Sequence, residues 1–244
     1  MTIYRYDGTF NGLLCLILRV ARDGREPEGI LGPGDGQESL FPAEEVPTEE
    51  TPAQNVFRAL KARTSARTLS EAYHAFLSES PGMDMCVLRY LALAWREGPG
   101  IGRRLADEPV ASVHETARRV AGERHRFLGL VRFRDTGQVL YAPIEPDFNI
   151  LPLLGGHFSA RLPLERFVIH DVRRKEAVLG RGGEWALSSF DPQPPVRDTE
   201  DDIRVRELFR LYFRSAAIAF RKNPGLQRSH LPKKYRKWLV ELDD

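Results

Sequence analysis

The chain has 244 residues, 42% of them hydrophobic and 29% charged, with a formal net charge of +2. That composition belongs to a folded globular protein with material for one good core or two small ones, and it argues against a disordered chain. No run reaches the roughly 20 apolar residues of a membrane span, and the N-terminus lacks the ordered basic, apolar and small-residue regions of a signal peptide, so a cytoplasmic location is expected.

In chain order, "TIYRYD" alternates like a short strand, and "GTFNGLLCLILRVARDG" reads as an apolar helix ended by Gly24. The next stretch, "REPEGILGPGDGQESLFPAEEVPTEETP", is rich in Gly, Pro and Glu and predicts a long loop packed at most through Leu40, Phe41 and Val46. "AQNVFRALKAR", "LSEAYHAFLSES" and "DMCVLRYLALAWREG" carry helical periodicity, with Thr68 or Ser70 and Gly98 as caps. "VASVHETARRVAGERHRF" predicts a longer helix running into the strand "FLGLVRFRD". The turn "DTG" and "QVLYAPIE" then complete a hairpin bent at Gly137. A short helix in "LPLLGGHFSARL" precedes the strands "RFVIHDVRR", "EAVLG" and "EWALS". A proline-rich connector, "SSFDPQPPVRDTED", leads to the last helix.

These elements predict an α+β fold: an antiparallel sheet flanked by helices, with a helical layer before it and basic C-terminal helices. The boundaries fall at 1–107 for the strand, helix, acidic loop and helical layer, 108–190 for the central sheet unit and 191–244 for the basic helices, all packed on one body. Cys15 and Cys86 are too few for an iron–sulfur cluster and lack zinc spacing, so free thiols and no metal or cofactor are expected.

Charge is segregated. Acidic residues dominate from Asp23 to Glu50, whereas Arg206, Arg210, Arg214, Arg221, Lys222, Arg228, Lys233, Lys234, Arg236 and Lys237 crowd the C-terminal part. On a helical wheel Arg206, Arg210, Arg214 and Arg221 fall within an arc of about 80°, opposite Leu208, Phe209, Tyr212, Phe213, Ala216 and Phe220. One face is therefore expected to pack and the other to meet a polyanion, with Tyr235 and Trp238 available to stack on bases. A simply solvated face is the alternative.

Two further stretches carry chemistry. "PGIGRRLA" has the glycines of a helix-hairpin-helix phosphate loop, or is only a tight connection after Gly98. The second is "IEPDFNILPLLGGHFSARLP", which sets Glu145, Asp147, Asn149, His157 and Arg161 among core-like residues, where unpaired charges are costly. His114, Arg118 and His125 share a flank of the preceding helix. His114 and His125 lie about 16 Å apart along its axis and so share no metal. The candidate acid–base and anion-holding residues are therefore His125, Glu145, His157 and Arg161. The alternatives are satisfied core histidines, a Glu145–Arg161 ion pair and N-caps at Asp147 or Asn149. Gly155 and Gly156 either break the helix or let something approach its backbone.

At "YRYDGTFNGLL", "QESLF", "GERHRFLGLVRF", "YAPIEPDFNILPLLGGHFSARLP", "FVIHDVRR" and "RKNPGLQRSHLPKKYRKWL" the sequence resembles, over nearly its whole length, a bacterial family of unknown function linked with DNA metabolism and repair. Members of that family tend to be encoded beside a radical-SAM DNA-repair protein, and related domains are fused to uracil-DNA glycosylase superfamily domains. The resemblance implies DNA and such proteins as partners and assigns no catalytic residue. The chain itself has neither a triple-cysteine cluster motif nor glycosylase motifs, and "RSHLP" around His230 does not supply the catalytic histidine context. Three functions follow as expectations: a repair accessory protein binding DNA through its basic C-terminal face, an enzyme on damaged or modified nucleotides, or a protein–protein adaptor.

Overall fold

The computed structural model describes residues 2–33, 42–193, 196, 199–216, 225 and 231–242, apart from the side chains of 213, 214 and 216. The chain divides into two compact units, Met1–Ala121 and Gly122–Asp244.

In the first unit β1 (Ile3–Arg5) leads into α1 (Phe10–Asp23). The side chain of Thr9 caps the Gly12 N–H, and left-handed Gly24 ends the helix. The acidic segment is not simply a loop. β2 (Gly29–Leu31) and β3 (Ala43–Glu45) pair in parallel with either side of β1 in a three-stranded sheet, and Val46 is buried. β3, made of Ala and two Glu, has almost no local β signal, and β2 has only Ile30 beside Gly29 and Leu31, so pairing with β1 creates strands this short. Arginines of the same unit neutralise the acids: Arg19 pairs with Glu44, Arg5 with Glu45 at 3.3 Å and Arg89 with Glu26 at 2.5 Å. Leu40 and Phe41 lie outside the described residues.

The helical layer forms as α2 (Glu50–Arg63), α3 (Ala66–Phe76) and α4 (Met83–Glu97). Ser65, not Thr68 or Ser70, caps α3, accepting the Thr68 N–H, and Gly98 closes α4. Leu13, Leu14 and Leu16 meet Leu69, Ala72, Leu88 and Leu91 in the core. "PGIGRR" takes the tight connection, a 3₁₀ turn (Gly98–Arg103) that buries Ile101, while Arg104 is held by Glu97 and Asp107.

The unit boundary falls inside α5 (Glu108–Leu130), which continues through "FLGL", where the sequence predicts a strand. Val113, Ala117, Val120, Phe127 and Val131 keep helical spacing, and all are buried. In the second unit β4 (Arg134–Asp135), β5 (Leu140–Ile144), β6 (Phe167–Asp171), β7 (Glu176–Arg181) and β8 (Glu184–Ser189) line up in chain order in one sheet. The sheet is mixed, not antiparallel: β5 and β6 run parallel because α6 (Leu151–Arg161) crosses between them. The fold is therefore mixed α and β, with one parallel and one mixed sheet among the described residues.

α6 is helical across its diglycine. A methyl group at Gly155 would run into the ring of Trp185 on β8, so the glycine seats helix against sheet. Left-handed Gly182 and Gly183 make the two-residue β7–β8 turn.

α7 (Glu200–Ala216) lies opposite to the expected way round. Asp202 is buried, Arg206 pairs with it at 2.8 Å, and Arg210 donates to the Val240 carbonyl at 2.8 Å. Leu208, Leu211 and Tyr212 are exposed. Arg206 and Arg210 turn inward because they find a carboxylate and a carbonyl acceptor there, and a donor left unpaired on that side would cost more than an exposed leucine.

Candidate functional site

The polar stretch after β5 is explained by the turn Glu145–Phe148 and by one residue that answers it. Glu123 of α5 is fully buried. Its two carboxylate oxygens accept the Asp147 N–H at 2.9 Å and the Phe148 N–H at 2.8 Å, and Tyr235 donates its hydroxyl to it at 2.5 Å. Such charge-assisted bonds are what make a buried carboxylate tenable. Burial, and then donation to Glu123, push the Tyr235 hydroxyl well above its ordinary range, so it remains a donor.

Cations surround the same turn. Arg173 donates to the Asp147 carbonyl at 2.6 Å, and Arg174 donates to that carbonyl at 3.0 Å and to the buried carboxylate of Asp171 at 2.8 Å. From the short 3₁₀ turn Lys233–Tyr235 and the residues after it, Lys234 pairs with Asp147 and Lys237 with Glu145. The guanidinium of Arg126 lies 5.6 Å from the centre of the Tyr235 ring, and Phe127 meets that ring edge-on.

The four residues predicted for acid–base work are placed differently. Glu145 is taken by Lys237, His125 and Arg161 are exposed, and His157 is half-buried with its ring edge-on to Phe158. Among the described residues no hydrogen bond or ion pair joins these four to one another. Neither Asp147 nor Asn149 caps α6, whose N-cap is Ile150 without a side-chain bond.

Of the predicted nucleic-acid residues, Arg206, Arg210, Lys234 and Lys237 hold the partners just described, and Arg236 donates to the Leu231 carbonyl. Lys233 is exposed. Arg221, Lys222, Arg228 and the side chain of Arg214 lie outside the described residues. Sequence reasoning missed Glu123, Asp171 and Arg174, and gave Tyr235 only a base-stacking role where it donates to Glu123. The signal for Glu123 was its position, three after Val120 and four before Phe127, a carboxylate on the buried stripe of its helix.

Two other polar clusters occur. In the first unit the hydroxyl of buried Tyr90 donates to Glu71 at 3.2 Å, and His114 Nε2 lies 3.1 Å from the same carboxylate. In the second, His170 Nδ1 meets the Tyr141 hydroxyl at 2.7 Å beneath Phe190, and His170 Nε2 has no hydrogen-bond partner among the described residues. Burial holds the His170 pKa below its ordinary value of 6.5. Among the described residues no group of three His, Cys, Asp or Glu is placed to hold a metal, and no helix is long and apolar enough to cross a membrane.

A family model for a domain of unknown function, DUF4130, matches residues 81–241. The chain belongs to the DUF4130 family. The DUF4130 span takes in α4, α5, the five-stranded sheet and α7, together with every residue around the Glu145–Phe148 turn, and leaves β1 and α1–α3 outside. No curated protein and no solved structure matches the chain.

Proposed function

We propose that this DUF4130 protein binds a nucleic-acid backbone through the cations gathered at the Glu145–Phe148 turn and serves DNA metabolism as an accessory protein. The observation that carries this reading is a layering of charge. Glu123 and Asp171 lie fully buried under the turn, whereas Lys234 and Lys237 keep side-chain exposures of 52% and 55%, and Arg126 and Arg173 are exposed. Cations from three chain segments thus stand outward over acids that face inward, the arrangement phosphate neutralisation uses. Lys234 and Lys237 rest on solvent-accessible carboxylates and exchange them for phosphates on binding. The resemblance to DNA-metabolism proteins supports the same choice of polyanion and makes a radical-SAM or glycosylase-type protein the expected partner.

Fluorescence anisotropy of labelled single- and double-stranded DNA, titrated against salt, tests the proposal. The triple variant Arg126→Gln, Lys234→Gln, Lys237→Gln should bind duplex DNA more weakly, its log–log salt slope smaller by roughly 0.9 for each phosphate contact removed. Arg22→Gln in the first unit should leave binding unchanged. A parent protein without salt-dependent affinity, or a triple variant equal to it, overturns the reading. Co-purification of another protein after nuclease treatment, without DNA affinity, would assign the surface to a protein ligand.

A further inference from the structure

The two edges of the five-stranded sheet are treated differently. At the β4 edge Asp135 is capped: its N–H donates to Asp202 at 2.8 Å, and its carbonyl accepts from the Thr199 N–H at 3.3 Å and hydroxyl at 3.2 Å. At the other end β8 has six residues, every one exposed, and among the described residues no strand pairs with its outer side. Proteins commonly blunt such edges with Lys, Pro or a bulge. The sequence "EWALSS" has none of these and a single charge, Glu184.

The phase of the β7–β8 hairpin fixes what the edge presents. A two-residue turn makes Arg181 and Glu184 a hydrogen-bonded pair, so Glu184, Ala186 and Ser188 direct their backbone groups at β7. The Phe190 N–H donating to the Lys175 carbonyl continues that alternation. Trp185, Leu187 and Ser189 therefore point their N–H and C=O groups outward. Trp185 and Leu187 also share the sheet face on which Trp185 meets α6, and remain 39% and 47% exposed.

We propose that β8 pairs antiparallel with β8 of a second copy of this chain, about a two-fold axis through Ala186. This register joins Trp185 of one copy to Leu187 of the other, twice over, through backbone groups already facing outward. It lays an aromatic on an aliphatic side chain in both pairs and sets Glu184 opposite Ser188, so no like charges meet. The edge is self-complementary, as an isologous contact requires, and the two five-stranded sheets become one.

Sedimentation equilibrium over a range of concentrations should show a monomer–dimer equilibrium. Leu187→Lys should raise the dimer dissociation constant about tenfold or more, with circular dichroism as in the parent and the same melting when both are compared at concentrations where they are monomeric. A cross-linking pair keeps the test informative should that variant fold poorly. In the proposed register Ala186 faces itself as a non-hydrogen-bonded pair with Cα atoms about 4.5 Å apart, within disulfide reach, so Ala186→Cys should give a covalent dimer on mild oxidation. Ser188→Cys, displaced by about 13 Å from its counterpart, should not exceed the wild-type blank. A parent that is monomeric at every concentration, a dimer indifferent to Leu187→Lys, or Ser188→Cys cross-linking as readily as Ala186→Cys overturns the proposal.

Discussion

Glu123 holds the turn it sits under. Removing its carboxylate leaves the Asp147 and Phe148 N–H groups and the Tyr235 hydroxyl without an acceptor, so Glu123→Ala should cost about 3 kcal/mol or more in chemical denaturation. Tyr235→Phe should cost about 1–2 kcal/mol, and the double variant less than the two single losses added, since the residues share one network. His170 gives a separate pH signature. With burial lowering its pKa, its contribution to stability is complete above 6.5 and is lost as pH falls through the lower folded-state value, while Asp171 and Asp191 moderate the shift. The melting temperature of the parent should therefore fall more steeply below pH 6.5 than that of His170→Gln. At this scale the sequence showed that Glu145 and Asp147 must find partners but not which ones: Tyr235 is 112 residues from Glu123, and no periodicity spans that distance.

Elements were more legible than their orientation. α1, α2, α3, α4, α6 and the β7–β8 hairpin follow from apolar spacing and turn glycines, with Gly24 and Gly98 closing α1 and α4, because those signals act within a few turns of chain. What periodicity does not encode is which face of an amphipathic helix meets the body. α7 shows this: Asp202, Arg206 and Arg210 lie inward while Leu208 and Leu211 face solvent. The diglycine in α6 has a packing reason that only Trp185 reveals. Gly155→Ala should cost about 1–3 kcal/mol by overpacking, and Trp185→Leu should restore part of that loss in the double variant, both read by denaturant unfolding.

For the whole molecule, the antiparallel expectation failed at one connection. A helix between two neighbouring strands carries the chain back to the same end of the sheet, so β5 and β6 must run parallel. The acidic and basic halves were visible in the sequence, yet each cluster with described partners is answered inside its own unit, Glu44 by Arg19 and Asp147 by Lys234. Both cysteines belong to the first unit. Cys15 is buried, and burial raises the Cys86 thiol. A thiol reagent should therefore label the native protein slowly and both sites rapidly in denaturant, reporting the opening of that unit alone.

The span between Glu123 and Tyr235 also matters during synthesis. A ribosome adding about 5–20 residues each second leaves Glu123 outside the exit tunnel for several seconds before Tyr235 is made. Until then the carboxylate stays hydrated and the turn above it open. The second unit thus matures only once Tyr235 has been made and has emerged, and a nascent chain stalled before Lys234 and Tyr235 would expose the sheet to chaperones and proteases.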